Sequence, residues 1–173
     1  MNKNGIDLGL PRPEGGNEGT ININYLKHVP QHAVLVARWL QDEWGDDYPD
    51  AVFSDWLKGV ESRLHDDAIP LTVVALENGI AVGTASIYIS DMGGYKELTP
   101  WLAAVYVKEG SRRRGIGSIL VRRILQVARA LGIERLYLFT PDQCGFYERI
   151  GWKLMETTRF LDKQVYVMEI GIG

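Results

Sequence analysis

Apolar positions recur along this chain with two periods, and the switches between them mark out the elements. Ile21, Ile23 and Tyr25 alternate with Asn22 and Asn24, which predicts a half-buried strand over residues 21–26. Pro30 suits the first turn of a helix, and Trp44-Gly45 offers an end for it. Phe53, Trp56, Leu57, Val60 and Leu64 are spaced to share one face of a second helix over about residues 50–64. Residues 71–76 and 80–89 read as strands. Asn78-Gly79 between them is a hairpin signal, because both residues tolerate positive φ. A loop over residues 90–100 leads into the unbroken apolar run 101–107, which predicts a central strand buried on both faces.

The best-defined element follows. Ile116, Ile119, Leu120, Ile124, Val127, Ala128 and Leu131 recur at spacings of three and four, with Arg122, Arg123, Gln126 and Arg129 on the other side. This predicts a helix over about residues 117–131, with Gly132 where a left-handed cap is wanted. Residues 133–140 form the next strand. Strand, helix and strand in that order make a right-handed crossover with the two strands parallel. A short helix over about residues 143–150 and two last strands, near 152–158 and 164–170, complete the chain. The sheet is therefore mixed, in an α/β or α+β architecture.

Composition narrows the class. With 173 residues the chain has room for one domain of ordinary size, expected over residues 21–173. Residues 1–20 hold five glycines and two prolines and read as a flexible N-terminal arm. No apolar run approaches the roughly 20 residues that span a bilayer, and no basic-then-apolar leader opens the chain, so a cytoplasmic, membrane-free protein is expected. The single cysteine, Cys144, excludes an internal disulfide and any cysteine-rich zinc site. A net charge of −3 argues against a general nucleic-acid binder.

The chemistry lies where the central strand ends, at Val107-Lys108-Glu109-Gly110-Ser111-Arg112-Arg113-Arg114-Gly115-Ile116-Gly117-Ser118. A buried strand stops, a polar loop turns, and a helix starts at two glycines. The first helical turn leaves backbone N–H groups unpaired and its dipole makes that end positive. Three arginines put like charge on like charge there, a conflict that a bound phosphate or pyrophosphate resolves. The loop lacks the lysine of a Walker loop, and Leu120 stands where a dinucleotide fingerprint needs its third glycine.

This loop resembles motif A of the GNAT acetyltransferase superfamily, Arg/Gln-x-x-Gly-x-Gly/Ala, met by Arg112, Gly115 and Gly117. Gly145-Phe146-Tyr147-Glu148-Arg149-Ile150-Gly151-Trp152 is similar to the family's motif B. The resemblance implies a mixed, mostly antiparallel twisted sheet with a central parallel pair and flanking helices. It further implies acetyl-CoA as co-substrate, without a metal. The pyrophosphate would rest on the loop at Arg112, Arg113, Arg114, Gly115, Ile116, Gly117 and Ser118. The pantetheine arm would lie along Val105, Tyr106 and Val107, and Tyr147 would be the general acid. Many members carry asparagine seven residues before this tyrosine; here that residue is Thr140. Asp142-Gln143 ahead of Phe146-Tyr147 is similar to some N-terminal protein acetyltransferases.

Acyl transfer from a thioester needs a neutral amine, a stabilised oxyanion and a proton for the leaving thiolate. A tyrosine is fully protonated at neutral pH and able to donate, and backbone N–H groups over residues 104–107 suit the oxyanion. The base is open, between a water held by backbone carbonyls and Glu97. The acceptor is expected to be a small-molecule or peptide amine. The carboxylates Asp42, Glu43, Asp46, Asp47 and Asp50 would draw a cationic one. His28, His32 and His65 read as surface histidines and Cys144 as a packing residue. A non-catalytic acyl-CoA-binding module and, more remotely, a nucleic-acid-binding domain are the alternatives; a homodimer is left open.

Overall fold

The structure is a computed structural model that describes residues 19–173. The expected arm over residues 1–20 therefore lies outside the described residues, apart from its last two. The elements are β1 (Ile21–Tyr25), α1 (Ala33–Trp44), α2 (Phe53–Glu61), β2 (Leu71–Glu77), β3 (Ile80–Tyr88) and β4 (Trp101–Val107). They are followed by α3 (Ile116–Ala130), β5 (Arg135–Thr140), α4 (Cys144–Arg149), β6 (Lys153–Phe160) and β7 (Lys163–Gly171). Pro30 opens a 3-10 turn, Pro30–His32, and α1 begins only after it. The second helix is shorter than its apolar spacing predicts. It starts where the Asp55 carboxylate accepts the Val52 amide at 3.1 Å and ends at Glu61.

The strands form one sheet in the order β1-β2-β3-β4-β5-β7-β6. Every neighbouring pair is antiparallel except β4 and β5, which are parallel as the crossover requires. Asn78 and Gly79 have φ of 51° and 82°, the all-positive turn that matches strand twist. The β6–β7 hairpin turns through Leu161 and Asp162, also at positive φ (48° and 59°). A leucine there gives no turn signal in sequence. Past α3, Gly132 at φ 71° lets the Ile133 amide reach the Ala128 carbonyl at 2.9 Å, closing the helix as its position predicts.

Alternation in the strands divides the core between the two faces of the sheet. On one face Leu71, Val73, Ala75, Leu102, Leu136 and Leu138 pack with α3 and with Tyr147 and Trp152. On the other, Val74, Leu76 and Ala81 pack under α1 and α2. Beside these, Trp101, Val165 and Val167 make a separate aromatic-rich cluster with Tyr88, Phe139 and Phe160. The gap between those two clusters on one face is where the site opens.

The central strand departs from the expected burial on both faces. Trp101, Leu102 and Ala103 are buried, but the four residues from Ala104 to Val107 are only half-buried. Two irregularities explain this. β4 meets β5 at a single ladder position, Trp101 opposite Tyr137, and the strands diverge beyond it. On its other side β4 bulges: Thr84 pairs with Tyr106 and Ser86 with Ala103, so Ala85 faces two residues, and Ala104 takes φ 52°. The second half of β4 therefore presents an unpaired edge to the gap.

Candidate active site

The divergence of β4 from β5 opens a cleft of about 1030 Å³ that passes from the α3–α4 face to the α1–α2 face of the sheet. One wall is the β4 edge, residues 102–107; the other is the end of β5 and the turn into α4, residues 138–143. Val105, Tyr106, Val107, Arg112, Arg113, Gly115, Ile116, Gly117, Ser118 and Tyr147 all line it. Of the residues expected to hold the co-substrate or to act as general acid, Arg114 alone does not.

The loop at the strand end is shaped by left-handed residues two apart, Arg113 at φ 61° and Gly115 at φ 77°. Such alternation turns successive amides into one concavity that suits an anion. The helical ladder begins with the Ile119 amide on the Gly115 carbonyl at 3.1 Å, leaving the amides of Ile116, Gly117 and Ser118 without intrahelical acceptors. No atom lies within 4 Å of where a Gly115 Cβ would stand, so the cradle is open at that point. Free amides, an open cradle and an unpaired strand edge fit a pyrophosphate carrying a pantetheine arm.

The three arginines have different fates. Arg112 turns back: its Nε donates to the Val107 carbonyl at 2.8 Å and its guanidinium meets Glu43 at 3.3 Å. It thereby pins the loop to the end of β4 and to α1. Arg114 pairs with Glu77 of β2, at 2.5 and 3.1 Å. Arg113 is exposed and makes no ion pair among the described residues. The like-charge conflict read from the sequence is thus partly relieved by Glu43 and Glu77, and Arg113 keeps its charge at the cradle.

Across the cleft, α4 carries Tyr147. The Thr140 hydroxyl accepts the Gln143 amide at 3.0 Å and sets the chain's turn into this helix. Tyr147 is wedged edge-on between Phe146 (ring centroids 5.0 Å) and Trp152 (5.9 Å) and is 8% exposed. Burial, reinforced by the Asp142 charge, pushes its phenol well above the ordinary tyrosine range. Cys144, at the start of α4, packs half-buried against the core, and burial raises its thiol pKa.

The expected acidic group does not gather at the cleft. Glu43 and Asp47 line it, but Asp47 is paired with Lys163 at 2.6 Å and Glu43 with Arg112; Asp42, Asp46 and Asp50 lie elsewhere. Glu97 is exposed and outside the lining. His28 binds Asp66 at 2.7 Å and His65 lies 2.9 Å from the Pro70 carbonyl, both at the surface. Sequence reasoning missed the α1–α2 end of the cleft, where Arg63, Tyr88 and Asp91 line it together. They come from the end of α2, the end of β3 and the following loop, and no spacing rule joins them.

Several known proteins resemble this chain. The acetyltransferase (GNAT) family model matches residues 33–152. N-alpha-acetyltransferase 80 of Mus musculus is 31% identical over 125 residues, 65% of this chain and 38% of that protein. An uncharacterized N-acetyltransferase of Bacillus subtilis, CgeE, is 31% identical over 80 residues, 44% of this chain and 29% of that one. The matched stretch spans well under half the length of either relative. Among solved structures, an aminoglycoside 6'-N-acetyltransferase complexed with coenzyme A shares the fold at a TM-score of 0.70 and 18% identity, over 87% of this chain and 97% of that one.

Proposed function

The chain belongs to the GNAT acetyltransferase family, and from that premise we propose that it moves the acetyl group of acetyl-CoA to a primary amine, of a small molecule or a peptide, with Tyr147 as general acid. The observation that carries this reading is the opening of β4 from β5 beside an open, amide-lined helix start. Together they offer a cradle for a pyrophosphate and a strand edge for an extended, amide-bearing arm. What acetyl-CoA supplies is an acetyl group activated as a thioester.

The rest is the work of this chain's own residues. The amides of Ile116, Gly117 and Ser118 hold negative charge at the helix start, strengthened by Arg113. Backbone N–H groups of the β4 edge over residues 104–107 donate to the carbonyl oxygen as it gains charge. Tyr147 stays protonated throughout the working range and places its O–H donor against the departing sulfur. The amine enters from the α1–α2 face, opposite the helix start. Arg112, bonded to the Val107 carbonyl and Glu43, keeps loop and strand in register.

The test is acetyl-CoA consumption across polyamines, aminoglycosides, amino acids and peptide N-termini. Thiol release with at least one class is expected. Calorimetry of Gly115→Val should show acetyl-CoA binding weakened about tenfold or more, since a branched side chain is strained at φ 77° and stands in the open cradle. Intact acetyl-CoA binding with no transfer to any amine would leave only a binding module.

A further inference from the structure

Five carboxylates line the cleft: Glu43, Asp47, Asp55, Asp91 and Asp142. Three are engaged, Glu43 by Arg112, Asp47 by Lys163 and Asp55 by the Val52 amide. Asp142 is exposed on the Tyr147 side. Asp91 differs from all of these. It is half-buried and, among the described residues, accepts no hydrogen bond and makes no ion pair. An unpartnered acidic group in such a place is costly to keep charged and needs a reason.

We propose that Asp91 is the proton acceptor for the incoming amine and that the charge of Arg63 tunes it; this rests on the acetyl-transfer reading above. The first support is place. Asp91 stands three residues after Tyr88, whose ladder partner is Trp101, the residue at which β4 and β5 begin to diverge. The pyrophosphate cradle and Tyr147 belong to the α3–α4 face, whereas Asp91 and Arg63 approach from the α1–α2 side. A proton acceptor on one side and a proton donor on the other is the arrangement the reaction needs. The nitrogen lone pair forms the new C–N bond and one N–H proton passes to an Asp91 carboxylate oxygen. The electron pair of the broken C–S bond stays on sulfur, which takes the Tyr147 proton; solvent later resets both groups.

The second support is electrostatic. Burial pushes the Asp91 carboxyl up to about 7, with the Arg63 charge pulling the other way. A carboxyl there is half-ionised at neutral pH, where a base is available and still basic enough to take a proton. The guanidinium of Arg63 lies 4.5 Å over the Tyr88 ring, and its Nε is buried without a hydrogen-bond partner, so it is held by stacking and not by an anion. Tyr48 and Tyr88 also feel the Asp91 charge, and Asp47, which Tyr48 feels as well, is paired with Lys163. Tyr48 and Tyr88 are neutral at working pH, and the pair is internally compensated. Burial therefore sets the direction of the Asp91 shift, and Arg63 is the charge that opposes it.

The test begins without ligand. Carboxyl-carbon NMR of the full chain should show Asp91 titrating near 7, and Arg63→Gln should move that titration upward, because a favourable cation is lost. With an alkyl amine acceptor, kcat/KM should rise with pH through the same value, and its limb should shift upward in Arg63→Gln. Asp91→Asn should lose the limb and about 10²–10⁴ of kcat/KM. Its acetyl-CoA dissociation constant should stay unchanged. Titration near the ordinary carboxylate value, or an Asp91→Asn enzyme with the native rate and limb, would overturn the assignment. Both results leave acetyl transfer itself standing. Wild-type protein that acetylates no amine would instead sink the acetyl-transfer reading, and this proposal with it.

Discussion

Tyr147 sits in surroundings that keep its hydroxyl protonated and able to donate. Packed between Phe146 and Trp152, its phenol is shifted up by burial, so it stays protonated at neutral pH. In the proposed reaction its proton passes to sulfur as charge builds there. Tyr147→Phe removes that donor and keeps the ring contacts. We expect kcat to fall by about 10²–10⁴-fold, with acetyl-CoA affinity and melting temperature nearly unchanged. Steady-state kinetics, calorimetry and a melting curve on one preparation check this; near-native kcat with chemistry rate-limiting would reduce Tyr147 to a packing role. This residue was legible because it stands in a local run, Gly145 to Trp152. Asp91 and Arg63 were not, since they are 28 positions apart on unrelated loops and only burial against a common cleft relates them. The partners of Arg112 and Arg114, Glu43 and Glu77, were hidden for the same reason.

At the level of elements, periodicity read well wherever one face meets a core. Helix α3, its glycine cap and the Asn78-Gly79 hairpin fall where apolar spacing and turn chemistry place them. The bulge in β4 did not announce itself, because it depends on how β3 is registered against it. Gly83 is central to that register. A Cβ on it would stand 2.8 Å from the Tyr106 carbonyl oxygen and 3.1 Å from Leu120 Cδ1. The first neighbour is backbone and cannot swing aside. Gly83→Ala should therefore push β4 away from β3, at a cost of about 1–3 kcal/mol and ~2–4 °C of melting temperature for each kcal/mol. Because the displaced stretch is the cleft's strand edge, acetyl-CoA should also bind more weakly, by about tenfold if the edge contributes one to two hydrogen bonds. Thermal melting and calorimetry read the two effects; normal affinity in a destabilised variant would show that the edge is not the docking line.

For the whole molecule, the sheet is two antiparallel blocks, β1–β4 and β5–β7, whose strands meet at one ladder position. Each block is well hydrogen-bonded within itself, and apolar packing with α3 completes the join. A ligand lying along β4 adds bonds that the folded chain lacks. Saturation at 100 times its dissociation constant should raise the unfolding free energy by about 2.7 kcal/mol. Amide exchange should slow most at residues 104–107 and 116–118, and exchange unchanged there on acetyl-CoA binding would contradict a strand-edge site. Considered as a mechanical object, the protein resembles two plates joined edge to edge at Trp101 and Tyr137 and clamped by a helix packed across them. A co-substrate spanning the gap beyond that joint, as proposed, would act as a brace, so that the pocket for the amine would gain rigidity from the molecule that supplies the acetyl group.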